Sequence, residues 1–290
     1  MGDSVKIIEC PRDAWQGLPA LLPTEIKAGY LQQLVMAGFR HIDAVSFVSP
    51  AAVPQMSDSE EVLRHLEAPP DLEIIGIVAN IRGAQRAVRT GAVQTIGFPF
   101  SISARFLERN QRQTPEESLR MVRTIRAMAE DGGLQFVAYV SMAFGNPYGD
   151  LWDARLVKDA CDQLKEAGVT TISLADTVGL ADAELISETM GEVIGFYPDL
   201  EIGAHLHARP ADSGAKIRAA YEAGCRRFDA AMGGLGGCPF AQDELVGNIS
   251  TETLLDTLQD LGAELPTLQG LRQVAGANAG IARTFGLVAP

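Results

Sequence analysis

The chain has 290 residues, 47% of them hydrophobic and 21% charged, with 29 glycines and 15 prolines. That composition supplies ample core and excludes both a disordered chain and a small disulfide-stapled scaffold. With 37 acidic residues against 24 basic ones the net charge is −13, so the overall field repels phosphate backbones and anionic surfaces, and neither nucleic acid nor a membrane is an expected partner.

Short β-branched runs alternate with stretches of helical period along the whole chain. The first strand is expected over Val5–Cys10, followed by a helix from Thr24 to Ala37 in which Ile26, Leu31, Leu34 and Val35 recur at helical spacing. His41–Phe47 begins a second strand, and six more are expected at Glu73–Ala79, Thr95–Phe100, Leu134–Met142, Thr170–Asp176, Glu201–His207 and Arg226–Met232. Helical stretches fill the gaps at about 57–67, 81–90, 115–130, 153–167, 182–195 and 211–223, with another at about 250–261. The joints Ala37-Gly38, Thr90-Gly91, Ala167-Gly168 and Ala223-Gly224 each place a glycine between helix and strand, where a left-handed cap is needed. Eight strand–helix units without a linker or composition shift predict one (β/α)8 TIM barrel spanning residues 1–290, with about 262–290 as a helical C-terminal extension.

Four cysteines, at 10, 161, 225 and 238, are too scattered for a disulfide framework. The opening Met1-Gly-Asp-Ser-Val-Lys6 lacks a basic-then-apolar signal layout, and no apolar run reaches the roughly 18 residues of a membrane span. A reduced, cytoplasmic protein is expected. Barrels commonly associate, so a homodimer is expected on that general ground alone.

In a barrel of this kind chemistry sits at the C-terminal ends of the strands. The polar residues expected there are Arg12 and Asp13 after the first strand, Asp43 and Ser46 on the second, Ser173 and Asp176 on the sixth, and His205, His207 and Arg209 at the seventh. His205 and His207 are two apart on a strand, so both imidazoles share a face, and two convergent imidazoles suit a divalent metal. With Asp13 and Asp176 on the same rim, the nitrogen and oxygen donors fit Mg2+ or Mn2+ with room for water. A loop after Pro11 would present the Asp13 carboxylate to the metal and the Arg12 cation to developing negative charge. The stretch Met232-Gly-Gly-Leu-Gly-Gly-Cys-Pro-Phe240 reads either as a glycine-rich phosphate cradle or as a bending flap that delivers the Cys238 thiol.

Taken together, these residues resemble the 3-hydroxy-3-methylglutaryl-CoA lyase family of metal-dependent TIM-barrel lyases and Claisen-type synthases. The resemblance runs from about Val5 to Leu261, through Pro11-Arg-Asp13, Ser46-Phe-Val-Ser-Pro50, Val53-Pro-Gln-Met56, Ser173-Leu-Ala-Asp-Thr-Val-Gly179, His205-Leu-His207, Gly234-Leu-Gly-Gly-Cys-Pro239 and Gly247-Asn248. It implies Asp13, His205, His207 and Asn248 as metal ligands, Arg12, Cys238 and Asp176 as catalytic residues, and Ser173 beside the substrate. Asp43 stands where the family usually carries Glu. The implied reaction cleaves a 3-hydroxy acyl-CoA to acetyl-CoA and a keto acid, with an aldolase or synthase acting on 2-keto acids, or a related lyase with altered substrate, as the alternatives. The chain departs from the family pattern at Ala14-Trp-Gln-Gly-Leu-Pro19, which brings Trp15 beside the site, at Asn146-Pro-Tyr148, and at Ala208-Arg-Pro-Ala211, where Arg209 is a new cation.

Overall fold

Eight parallel strands pair in chain order and close into a barrel: β1 (Lys6–Glu9), β2 (His41–Ser46), β3 (Glu73–Ile77), β4 (Thr95–Ser101), β5 (Gln135–Ser141), β6 (Thr171–Asp176), β7 (Glu201–Leu206) and β8 (Arg227–Ala230). Closure comes from β1 against β8, with Ile8 opposite Asp229 and Glu9 opposite Ala230. This computed structural model describes residues 4–236 and 246–286.

Side chains on alternate strand positions divide between two environments. Ile42, Ile74, Ile96, Phe136, Ile172 and Ile202 face outward into the main core under the helices, whereas Ile8, Cys10, Ile75, Ile77, Val137 and Tyr139 form a separate inner cluster. At the N-terminal floor of the barrel the inner positions are charged and mutually paired. Lys6 meets Glu201 at 2.8 Å, Arg227 meets Glu201 at 3.5 Å, and His41 meets Glu73 at 2.6 Å.

The helices are α1 (Pro11–Gln16), α2 (Thr24–Ala37), α3 (Ser59–Arg64), α4 (Ile81–Thr90), α5 (Ala104–Gln111), α6 (Pro115–Asp131), α7 (Ala154–Glu166), α8 (Ala183–Phe196), α9 (Pro210–Glu222), α10 (Thr251–Asp260) and α11 (Leu271–Phe285). Their starts carry side-chain caps that satisfy orphan N–H groups, among them Asn80, Ser103, Asp153, Asp182 and Ser250, and Thr114 with Glu117 forms a reciprocal capping box. The four expected glycines are left-handed, with φ of +103° at Gly38, +63° at Gly91, +83° at Gly168 and +104° at Gly224.

Three local expectations are corrected. The segment after β1 is not a loop but the helix α1, and α5 adds a second short helix after β4. The eighth strand is four residues long, and Met232–Gly234 turn into a 3-10 segment instead of extending it. The C-terminal extension is helical only from Leu271, and α11 is tied to the turn after β8 by Asn278 Nδ2, which donates to the Met232 carbonyl at 2.7 Å. Among the described residues no helix is long and apolar enough to cross a membrane.

Candidate metal centre and active site

Pro11 at the first position of α1 sets the helical φ without needing the N–H it lacks, and it places Arg12 and Asp13 in the first turn at the C-terminal end of the barrel. The last inward residue of β7 is His205, and His207 lies just beyond the strand, where it bridges antiparallel to Asn248. Ligand atoms of Asp13, His205 and His207 all lie within 4.8 Å of one another.

Both imidazoles are fixed through Nδ1. His205 Nδ1 lies 3.0 Å from Asp229 Oδ2, and His207 Nδ1 donates to the Thr177 carbonyl at 2.9 Å. A ring nitrogen that donates outward leaves the opposite one with a lone pair, so each Nε2 is the free donor. The His207 Nε2 is buried without a hydrogen-bond partner and sits 4.0 Å from Asp13 Oδ2. An unsatisfied buried nitrogen facing a carboxylate fits a cation between them. Asn248 adjoins the set: its Nδ2 donates to Asp13 Oδ2 at 2.7 Å and to the Leu235 carbonyl at 2.8 Å.

Electrostatics ionise the carboxylate and keep His207 neutral, whereas for His205 burial is outweighed by the hydrogen bond and charge of Asp229 and by Asp13, which raise it above its ordinary value. Burial, with His205 alongside, lowers His207 to about 4. Burial alone would raise Asp13, but Arg12, both histidines and Asn248 overcome it and hold the carboxyl below its ordinary value. Asp43 shifts the other way, raised by burial against the pull of Arg12.

A second grouping, Cys10, His205 and Asp229, lies one layer deeper. Its members are already engaged: Cys10 Sγ donates to the Ile8 carbonyl at 3.5 Å, and His205 is bonded to Asp229. Asp229 accepts from Arg227 at 2.9 Å and from Ser173 Oγ at 3.3 Å as well as holding His205, and burial together with four nearby carboxylates keeps the Cys10 thiol protonated.

Arg12 is clamped to Asp43 through Nε at 3.1 Å and through Nη2, while Nη1 donates to Asp13 at 3.0 Å and Gln16 at 3.1 Å. Four of the five guanidinium N–H groups are thereby engaged, and the remaining one, on Nη2, is left for a ligand. Beside this cluster is a cavity of about 160 Å³, walled by Ser46, Val48, Val53, Ile77, Phe106 and Tyr139 as well as by Arg12, Asp13 and the two histidines. The Tyr139 ring stands edge-on to His205 at 5.7 Å, and its hydroxyl is buried without a partner.

Of the residues expected at the site, the structure brings together Arg12, Asp13, Asp43, Ser46, His205, His207 and Asn248. The others are placed differently. Ser173 lies one layer below, hydrogen-bonded to Asp229. Asp176 is turned out of the barrel: Ser173 and Ala175 are the inward positions of β6, so Asp176 points to the helix layer. There its carboxylate accepts from Lys216 Nζ at 2.8 Å and from the N–H groups of Leu180 and Ala181. With these partners it does not line the cavity that Ala175 and Thr177 border. Arg209 is exposed and lines a different cleft of about 770 Å³, with Ser213, Asn248 and Ser250. Trp15 is buried in the core, edge-on to Tyr30 at 5.7 Å, rather than beside the site. Cys238 lies outside the described residues. Residue reading alone missed Asp229, Tyr139 and Lys216; an inward parity for β5 and β8 would have singled out Tyr139 and Asp229.

The closed barrel, with an aspartate and two aimed imidazoles at the C-terminal ends of its strands, defines a (β/α)8 enzyme of the kind built around a divalent-cation site. The HMGL-like family model matches residues 5–277, and the chain belongs to that family. It is 36% identical over 261 residues to the cytoplasmic 3-hydroxy-3-methylglutaryl-CoA lyase of Danio rerio, covering 90% of this chain and 77% of that protein. A solved HMG-CoA lyase from Acinetobacter baumannii, in complex with coenzyme A and 3-methylmalate, superposes with a TM-score of 0.89 at 31% identity, covering 99% of this chain and 98% of that one. The hydroxymethylglutaryl-CoA lyase of Pseudomonas aeruginosa gives a TM-score of 0.90 at 27% identity, covering 99% and 95%.

Proposed function

We propose that the protein is a carbon–carbon lyase that cleaves 3-hydroxy-3-methylglutaryl-CoA to acetyl-CoA and acetoacetate. The observation that carries this is the orphaned His207 Nε2 facing Asp13, in a chain of the HMGL-like family. Asp13, His205, His207 and Asn248 are the residues that would hold the cation, and their two nitrogens and two oxygens suit Mg2+ or Mn2+. When bound, such a cation supplies Lewis acidity toward a hydroxyl and a carboxylate oxygen of the substrate.

The residues of the chain do the rest. The bond between C2 and C3 breaks as the C3 hydroxyl gives its proton to a water at the cavity mouth: the oxygen's electron pair forms the ketone, and C2 leaves as a thioester enolate. A proton returned to C2 completes acetyl-CoA. The remaining Nη2–H of Arg12 is the donor for the enolate oxygen, and the Asp43 clamp holds the guanidinium where that charge develops. The unpartnered Tyr139 hydroxyl is a neutral donor on the cavity wall, because burial raises it well above its ordinary value. Cys238 is the thiol this reading assigns to protonation at C2. Val48, Val53, Ile77 and Phe106 exclude water from the enolate. A cytoplasmic location belongs to the same reading, supported by the cytoplasmic lyases among its relatives.

The test is incubation of purified, metal-loaded protein with 3-hydroxy-3-methylglutaryl-CoA. Acetoacetate and acetyl-CoA should form in equal amounts, stop with a chelator and resume with Mg2+ or Mn2+. Failure with this thioester, together with condensation of acetyl-CoA onto a 2-keto acid, would replace the lyase reading with a synthase.

A further inference from the structure

The side chain of Lys216, on α9, is 4% exposed and that of its partner Asp176 2%, so an ammonium and a carboxylate are both taken out of water beside the site. Burial of two charges needs good geometry and full hydrogen bonding, and both are present. The three ammonium protons of Lys216 go to Asp176 Oδ2 at 2.8 Å, the His207 carbonyl at 2.9 Å and the Gly179 carbonyl at 3.3 Å. Asp176 in turn accepts from the N–H groups of Leu180 at 2.9 Å and Ala181 at 3.2 Å.

These contacts join two segments that meet at His207. One is the end of β7, whose backbone carries His207 and which Lys216 grips at the His207 carbonyl. The other is the turn after β6, residues 177–181, whose Thr177 carbonyl takes the Nδ1–H of His207 and whose Thr177 hydroxyl takes the Met142 N–H at 2.8 Å. The packing there is close. At Gly179, with φ of +70°, a Cβ would come within 2.9 Å of Val246 Cγ1 and 3.3 Å of the His207 carbonyl. The direction in which His207 Nε2 points therefore depends on the separation between these two segments, and one buried cation spans it.

We propose that Lys216 is a positioning residue for the metal centre, with Asp176 as its buried counter-ion: together they lock the turn after β6 to the end of β7 so that His207 presents Nε2 to the cation. The proposal rests on the reading of Asp13, His205 and His207 as metal ligands. It assigns Asp176 a role at a distance from the substrate.

Mn2+ titrated into metal-free parent, Lys216→Met, Lys216→Arg, Asp176→Asn and the Lys216→Met/Asp176→Asn double variant separates the outcomes, with kcat measured at saturating Mn2+ and folding followed by thermal unfolding. Lys216→Met and Asp176→Asn are each expected to weaken Mn2+ binding by about 10–100-fold. At saturating Mn2+ each should recover a kcat within several-fold of the parent, and Lys216→Arg should restore part of the affinity. The double variant should be far less impaired than the sum of the singles, since a shared interaction can be lost only once. Parent-like Mn2+ affinity in folded Lys216→Met or Asp176→Asn overturns the proposal and leaves the lyase reading intact. Intact affinity with a collapsed kcat in Asp176→Asn would instead return Asp176 to a catalytic role. Should Lys216→Met fail to fold, Asp176→Asn and Lys216→Arg carry the same comparison. Mn2+ binding by the parent without thioester cleavage sinks the lyase reading alone, while a parent that binds no Mn2+ sinks both.

Discussion

The two ends of the barrel bury charge in opposite ways. On the floor, Lys6, His41, Glu73, Glu201 and Arg227 pair with one another, and Thr95 donates to Glu73, so every charge has a partner. Despite burial, the bonds from His41 and Thr95 bring Glu73 down to about 2, the state of a saturated ion pair. At the mouth, Arg12 keeps one donor in reserve, and His207 Nε2 and the Tyr139 hydroxyl have no partner at all. Other buried atoms without a partner lie in the helix layer, such as Ser118 Oγ and Thr189 Oγ1, but His207 Nε2 and the Tyr139 hydroxyl border one cavity, and because such groups are costly a ligand there would complete the network. Charge in the barrel is structural where it is paired and functional where pairing is left incomplete.

Four substitutions probe that contrast, from the largest effect to the smallest. His207→Ala removes an unpaired donor at the mouth and should lower kcat/KM by about 10³-fold or more, equivalent to roughly 4 kcal/mol, while urea unfolding changes little. On the floor the balance reverses. Arg227→Met takes the guanidinium from the buried Asp229 and leaves Glu201 with Lys6 alone, and urea unfolding should show a loss of about 3–5 kcal/mol.

Glu9 lies between these extremes, beside the mouth but outside the barrel, where it accepts from the Met232 N–H at 2.8 Å and from the Thr251 hydroxyl. Burial raises it from 4.5 to about 8. Between those two values the unfolded chain has released this proton and the folded chain has kept it, so the folded state binds more protons and stability falls as pH rises. Glu9→Gln should abolish that slope, becoming more stable than the parent at pH 8.5 relative to pH 5 by on the order of a few kcal/mol, as read from paired unfolding curves. A flat parent curve would mean that Glu9 is ionised when folded. Lys6→Met, at a pair whose side chains are 31% and 38% exposed, should cost less than about 1 kcal/mol.

Much of this was legible in the residues. The repeated glycine joints and eight β-branched runs specified the barrel, and the two-residue spacing of His205 and His207 placed both rings on one side. The place of Asp176 at a strand end puts it at the rim but does not say which face it takes, for a physical reason. β6 reads Thr-Ile-Ser-Leu-Ala-Asp and is buried on both faces, so its hydrophobic pattern does not reveal which set points inward. Only its pairing with β5, Ser173 opposite Tyr139, puts Ser173 and Ala175 inside and Asp176 outside. Helices α1 and α5, of six and eight residues, are too short to express a helical period. Arg227 and Asp229 resemble surface charges in sequence, and only barrel closure buries them. Lys216 looks like an ordinary helix-face cation until β6 and β7 are brought beneath it.

A cation is expected to complete the mouth between Asp13 and the two Nε2 atoms. Anomalous diffraction at the manganese edge from crystals grown with Mn2+ tests this directly. The account predicts a single strong peak within about 2.0–2.3 Å of His205 Nε2, His207 Nε2 and an Asp13 oxygen, with the Asn248 amide oxygen alongside. A peak among Cys10, Asp229 and the opposite side of His205, or no peak at saturating Mn2+, would contradict it.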